Sequence, residues 1–243
     1  MIACARMSLR PIARASVVQE TARSLRGLLL RGHWAVGDRL PPERQLATEL
    51  EVNRTSLRLA LKQLEHEGLV KSRQGDGTIV LDPMSSAGLG VLAHLLAPGT
   101  LEPAMQGEMV HDILEFRRIV GRELTTVAAG RISDADLATV TALIEKARSP
   151  ALDAAGLLAI DTDIYLSLAR ATRNRVFTLL ANSVKQGIET ALPALANLIV
   201  DVVVVRAHHD ALLAALRARD AAQASKVADA YLARPLALFP KRV

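Results

Sequence analysis

A mainly α-helical fold in two parts is what the sequence predicts, and composition and spacing predict it together. Aromatic residues make up only 2% of a 243-residue chain that is 50% hydrophobic. That balance disfavours β-sandwiches and barrels and favours helices rich in alanine and leucine. The first 83 residues run helix, helix, turn, helix, hairpin. From Ala87 onward apolar residues recur at helical spacing, with breakers only at Pro98-Gly99, Pro103, Ser149-Pro150 and Asn174. The length suits one large domain or two modest ones. The reading is an N-terminal winged helix-turn-helix over 1–83 and an all-α bundle of six to seven helices over 84–243.

Each element has a local reason. Ser16 to His33 carries Val17, Ala22, Leu25, Leu28 and Leu29 at helical spacing, and Gly32 and Gly37 punctuate the stretch after it. Pro42-Glu43 starts a short helix to about Leu50, since proline suits the first turn and Glu the positive end of the dipole. The turn Glu51-Val52-Asn53-Arg54 leads to Thr55, expected as N-cap of a helix with Leu57, Leu61 and Leu64 on its inner face and Gly68 at its end. Leu69–Arg73 and Thr78–Leu81 around Gln74-Gly75-Asp76-Gly77 make a hairpin. Further helices are expected near 86–97, 105–130, 134–147, 152–171, 175–199, 201–218 and 220–233, forming one bundle.

Charge and composition narrow the function. Of a net +5, residues 1–83 hold 13 Lys and Arg against 9 Asp and Glu, and the rest 17 against 16. A basic first third on a near-neutral remainder suggests a polyanion-binding module joined to something else. The longest apolar candidate for a membrane span, Ala191 to Val205, is interrupted by Asn197 and Asp201. Cys4 is the one cysteine, which suits a reducing cytosol, and Met1–Arg14 lacks the apolar stretch of a secretory signal. A cytoplasmic protein without a membrane partner is expected.

A helix-turn-helix places the start of its second helix in the DNA major groove. Asn53, Arg54, Thr55, Ser56 and Arg58 stand there. Arginine forks onto guanine O6 and N7, while Asn, Thr and Ser reach phosphates or base edges. Arg44, in the preceding helix, reaches the backbone or an adjacent guanine. The wing tip, with Gln74, Gly75 and Gly77, lets its backbone approach closely. Ordinary solvated charges are the bland alternative for any one of these; the set at these spacings favours double-stranded DNA as a partner.

Three stretches carry a resemblance: Gly37-Asp38-Arg39-Leu40-Pro41-Pro42-Glu43-Arg44-Gln45-Leu46-Ala47, then Val52-Asn53-Arg54-Thr55-Ser56-Leu57-Arg58-Leu59-Ala60-Leu61, then Leu64-Glu65 to Gly68-Leu69-Val70. Together they resemble the GntR family of bacterial transcription regulators. The helical remainder, with its pattern Asp161 to Asn174, resembles the FadR subgroup and its FCD effector-binding domain. The resemblance implies a homodimer on a short palindromic operator, released or retained by a small molecule. It carries Arg44, Arg54, Thr55, Arg58 and Gly75 over as DNA contacts, with Asn53 and Gln74 at contact positions of variable identity.

The helical part has polar residues set into apolar stripes: Arg117, Asp161, Tyr165, His209 and Tyr231. Buried charges are costly unless paired or used, so these intrusions suggest a polar-lined cavity; core residues, with Arg117 paired to Asp161, are the alternative. Many FCD domains look as if they hold a divalent metal through one Asp and three His. Asp161 and His209 match that set, but Tyr165 and Tyr231 stand at two histidine positions, and neutral phenol is a weak ligand. His208, about 100° around the helix from His209, is not expected to replace a missing ligand. No metal and no cofactor is therefore expected, and the five residues are expected to line an organic-ligand pocket. Where the family often has Glu four residues after the arginine, this chain has Gly121, which leaves Arg117 free for an anionic ligand. The resemblance then points to a partly apolar acid such as an acyl thioester, with a sugar acid or dicarboxylate, metal-held or not, as the competitor. An enzyme using Asp161 and His209 as an acid–base pair is the reading from another class. It lacks a nucleophile motif or phosphate loop, and the chain is read as no enzyme.

Overall fold

The structure, a computed structural model, describes residues 15–73, 77–97, 99–191 and 196–239. The chain divides into two compact units on either side of Gly88 and Leu89.

In the first unit α1 (Ala15–Leu30), α2 (Glu43–Glu49) and α3 (Arg54–His66) precede β1 (Val70–Arg73) and β2 (Gly77–Val80), and α4 (Pro83–Ser86) closes it. Ala22, Leu25 and Leu29 of α1 are buried with Leu57, Ala60, Leu61 and Leu64 of α3, so one apolar stripe packs on the other. Arg26 fastens the pair by donating from Nε and Nη2 to Glu67, at 2.7 and 2.6 Å. Asn53, not Thr55, is the N-cap of α3: its Oδ1 accepts from the Ser56 amide at 2.8 Å. The side-chain carbonyl of Asn53 satisfies an otherwise orphaned first-turn N–H, which starts the helix earlier than expected. Gly68 has φ +78°, and a Cβ there would lie 2.4 Å from the Ser86 carbonyl oxygen, so only glycine fits. β1 and β2 pair antiparallel, Val70 opposite Val80. Unforeseen from sequence, Arg39 bridges Ile79 on the far edge of β2, with Leu40 N–H donating to the Thr78 carbonyl at 2.8 Å.

The second unit is helical: α5 (Leu92–Leu95), α6 (Pro103–Arg131), α7 (Asp134–Ala147), α8 (Ala154–Ala171), α9 (Arg175–Ala191), α10 (Ala196–Ile199), α11 (Val202–Arg217) and α12 (Ala221–Ala233), with a final 3-10 turn Arg234–Leu238. The helix expected over 86–97 is instead α4, a 3-10 turn at Leu89–Val91 and α5. Asp82 caps Pro83 into a separate turn, and glycines 88 and 90 weaken continuation. The expected helix over 175–199 is described as α9 and α10, with 192–195 outside the described residues. The 29-residue α6 is the spine, packing on α12 and α8. Its buried side chains join two apolar clusters, one with α7, α8, α11 and α12, the other with α9. No described helix is long and apolar enough to cross a membrane.

Candidate nucleic-acid interface and buried polar cluster

The first two turns of α3 present Arg54, Thr55 and Arg58 to solvent, and α2 presents Arg44. Arg58 is not wholly free: its Nε donates to Glu43 Oε2 at 2.6 Å, while its side chain stays exposed. Asn53 is exposed, but its carbonyl oxygen is used as the cap, and Ser56 supplies the amide that the cap takes. Gly77 has φ +84° with open space around it, so a turn backbone can approach a partner there. Gln74 and Gly75 lie outside the described residues.

In the helical unit Arg117 of α6, Asp161 and Tyr165 of α8, His209 of α11 and Tyr231 of α12 converge. Arg117 Nη2 donates to Asp161 Oδ2, and Asp161 Oδ1 accepts from His209 Nε2 at 3.1 Å. Asp161 is only 1% exposed. Burial alone would raise its pKa, but the His209 hydrogen bond and the Arg117 charge outweigh it and hold the carboxylate below its ordinary range. Burial likewise opposes the Arg117 charge, and Asp161 overcomes it. The guanidinium lies 5.5 Å from the Tyr165 ring centroid, a cation–π distance. The expectation that Arg117 lacks a neutralising partner is thus corrected: removing Glu from position 121 does not free it, because Asp161 reaches it from α8.

His208 is the residue that sequence reasoning missed. Its Nε2 is 3.3 Å from the Tyr165 hydroxyl, and its ring stacks on Tyr231 at 3.9 Å and 7°. Neighbouring positions 208 and 209 are both buried because α11 is covered by α7 on one side and α12 on another. The adjacent His-His pair was the signal; only the neighbours of α11 show that both faces are used. Burial pushes the His208 pKa down to about 4, so the ring is neutral near pH 7. The second ring nitrogen of His209, Nδ1, is buried without a hydrogen-bond partner.

Gly121 belongs to the same arrangement. A Cβ there would lie 2.6 Å from Leu232 Cδ1 and 3.4 Å from Tyr165 Cε1. With tyrosine at 165 and leucine at 232, a larger side chain at 121 has no room.

Arg117 borders two cavities. One, of about 50 Å³, is walled by Val120, Gly121, Tyr165, Val184 and Ile188. The other, of about 250 Å³, is lined by Leu158, Val205, Tyr231, Arg234 and Leu238. Tyr165 thus stands on one cavity and Tyr231 on the other, while Asp161 lines neither and backs Arg117. His209 borders a separate cleft beside Arg148 and Asp210.

These donors do not suit the divalent ion that the resemblance implies. Both Asp161 oxygens already accept from Arg117 and His209. Burial, reinforced by Asp161, raises both phenol pKa values, so Tyr165 and Tyr231 stay protonated. A cation would also face Arg117 at close range. Among the described residues no three His, Cys, Asp or Glu side chains form a metal-holding group.

Exposed arginines on a helix-turn-helix, joined to a helical unit with an arginine-floored cavity, define a DNA-binding regulator that responds to a ligand. The chain belongs to the gntR family of bacterial regulatory proteins, whose model matches residues 17–80, and an FCD domain matches 112–234. It is 32% identical, over 92% of its length and 89% of the relative's, to an uncharacterised HTH-type transcriptional regulator of Mycobacterium tuberculosis. It is 26% identical to the HTH-type transcriptional repressor NanR of Cronobacter sakazakii, over 92% of this chain and 85% of that one. Among solved structures, that of Lar, which controls the Listeria monocytogenes agr system, superposes with TM-score 0.62 at 15% identity. The match covers 95% and 97% of the two chains and shows a shared fold.

Proposed function

We propose that this chain is a cytoplasmic, homodimeric regulator that binds a palindromic operator through α3 and the wing and releases or retains it when an acidic, partly apolar metabolite enters the helical domain. Arg44, Asn53, Arg54, Thr55, Ser56 and Arg58 meet the DNA, with Gln74, Gly75 and Gly77 at the wing. Two-fold symmetry in the protein matches two half-sites in the operator. The effector's acid group meets Arg117 and the Tyr231 hydroxyl, and its apolar part lies along Leu158, Val205 and Leu238 in the larger cavity. Asp161 and His209 hold Arg117, and Tyr165 closes its other side. Metal takes no part, and no reaction is catalysed.

The observation that carries this reading is that one buried arginine borders two cavities, the smaller walled by aliphatic side chains with Lys185 and the larger by aliphatic side chains with Tyr231, Arg234 and Asp201. Arg117 gives one terminal amine to Asp161 and also meets the Tyr231 hydroxyl, and a carboxylate or thioester oxygen would take the N–H groups that these two contacts leave. Arg234, on the same larger cavity, favours a second reading in which a dicarboxylate bridges the two guanidiniums.

Native mass spectrometry of the protein as purified, followed by calorimetric titration with dodecanoate, its coenzyme A thioester and succinate, tests the proposal. A metal-free dimer that binds dodecanoate or the thioester, more weakly after Tyr231→Phe, is the expected result. Succinate binding alone replaces the effector class with the second reading. One divalent ion per subunit overturns the metal-free pocket.

A further inference from the structure

One residue on the outward face of α3 differs in chemistry from its neighbours. Arg54, Thr55, Arg58 and Lys62 are exposed and polar or basic, and Leu59 stands among them 50% exposed. It adds little to the core, which Leu57, Ala60, Leu61 and Leu64 of the same helix supply. A single exposed leucine is ordinary; the position of this one is not. Leu59 follows Thr55 by four residues, one helical turn, so the two occupy the same strip of the helix surface. With Asn53, Thr55, Ser56 and Gln63 it lines an open groove whose opposite wall carries Val17, itself 45% exposed. The groove is therefore continuous with the helix start that a helix-turn-helix presents to base edges.

We infer that Leu59 is a further specificity-determining residue: its side chain packs on the C5-methyl group of a thymine in the major groove, one turn along α3 from the bases met by Arg54 and Thr55. The inference rests on the proposal that α3 enters the major groove. The thymine methyl is the apolar feature that base edges offer there, and a guanidinium or hydroxyl gains little from it. A leucine gains by removing both apolar surfaces from water. Arg54, Arg58 and Lys62 surround Leu59 with positive charge, so phosphate attraction brings the helix in without any charge at 59 itself. One helical turn advances about 5.4 Å, against about 3.4 Å per base pair, which puts the thymine one to two steps from the pair met by Thr55.

The test uses the full-length protein. A random duplex library selects its preferred operator, and each thymine is then replaced singly by uracil, which removes only the methyl. For the natural protein one or two thymines per half-site lose about three- to fivefold in affinity on replacement, the worth of burying one methyl-sized group. In Leu59→Ala those positions become indifferent to the replacement, while Leu59→Met keeps the sensitivity. Both variants melt within a few degrees of the natural protein because the position is on the surface. Identical uracil profiles for the natural protein and Leu59→Ala overturn the inference, as does a natural profile with no sensitive thymine. A weakened dimer in Leu59→Ala without DNA, with its uracil profile retained, assigns the leucine to a second copy of the chain instead. A library that returns no preferred sequence overturns the DNA-reading role of α3 and this inference with it.

Discussion

In the N-terminal unit Arg44, Arg54 and Arg58 stand in solvent on α2 and α3, whereas in the helical unit Arg117 is enclosed with Asp161 as its counter-charge. Both units hold arginine–carboxylate pairs, and Arg58–Glu43 in the first differs in depth from Arg117–Asp161 in the second. Arg58 and Glu43 meet at an exposed site, where such a pair is worth about 0–1 kcal/mol and yields readily to a competing phosphate. Arg117 and Asp161 meet where water is excluded, and breaking a buried pair costs several times more because the remaining charge is stranded. A surface arginine is thus available to a partner at little expense, while a buried one is fixed in place and can only lend its unused donors.

The largest expected effect sharpens that contrast. Asp161→Ala leaves Arg117 buried without its carboxylate, and urea unfolding is expected to show a loss of about 3–5 kcal/mol. Glu43→Ala, the matching change in the exposed pair, is expected to shift the same curve by less than about 1 kcal/mol. Equal losses would break the comparison.

Next comes His208. In the unfolded chain its imidazole protonates near pH 6.5, while burial holds it neutral in the fold down to about 4. The unfolded state therefore binds more protons between those values, so stability is full above pH 6.5 and falls as pH drops toward 4. The whole window is worth roughly 3 kcal/mol. Asp161, with its lowered pKa, loses stability in the same direction at lower pH. Denaturant midpoints against pH are expected to be flatter in His208→Gln than in the natural protein over that window; parallel curves would mean the ring is not buried in solution.

Smaller effects are expected on the DNA side. Arg58→Ala is expected to weaken operator binding by about 1–3 kcal/mol in a fluorescence anisotropy titration, with the melting temperature nearly unchanged. Asn53→Ala removes the α3 cap and is expected to cost about 1 kcal/mol of stability by thermal unfolding. The equivalent Thr55→Ala is expected to leave stability alone and act on binding, which separates the capping residue from the reading residue.

Much of the first unit was legible in order along the chain. The leucine spacing of α3, Pro42 before α2 and the left-handed Gly68 are local instructions, and each acts within a few residues. The missed features there are the ones that need a partner from elsewhere. The Arg39–Ile79 bridge joins residues forty apart, and the cap moved from Thr55 to Asn53 because two good capping residues competed. In the helical unit the five polar intrusions were readable from their stripes and an Arg117–Asp161 pair was one of the two readings they allowed, but the contacts of His208 with Tyr165 and Tyr231 were not. Gly121 looked like the loss of a partner for Arg117, whereas the structure makes it the space that Tyr165 and Leu232 fill.

The sequence by itself determined the two-part helical plan, the exposed face of α3 and the presence of polar groups in an apolar bundle. Periodicity and capping are short-range and are written into neighbouring residues. Only the tertiary structure decided that Asp161 neutralises Arg117, that His208 faces Tyr165 and Tyr231, and that Arg117 divides two cavities. Those contacts join α6 to α8 and α8 to α11 across more than forty residues of chain, and α11 to α12 across a helix boundary. Their energies depend on the exclusion of water, which no single helix achieves before the others pack against it.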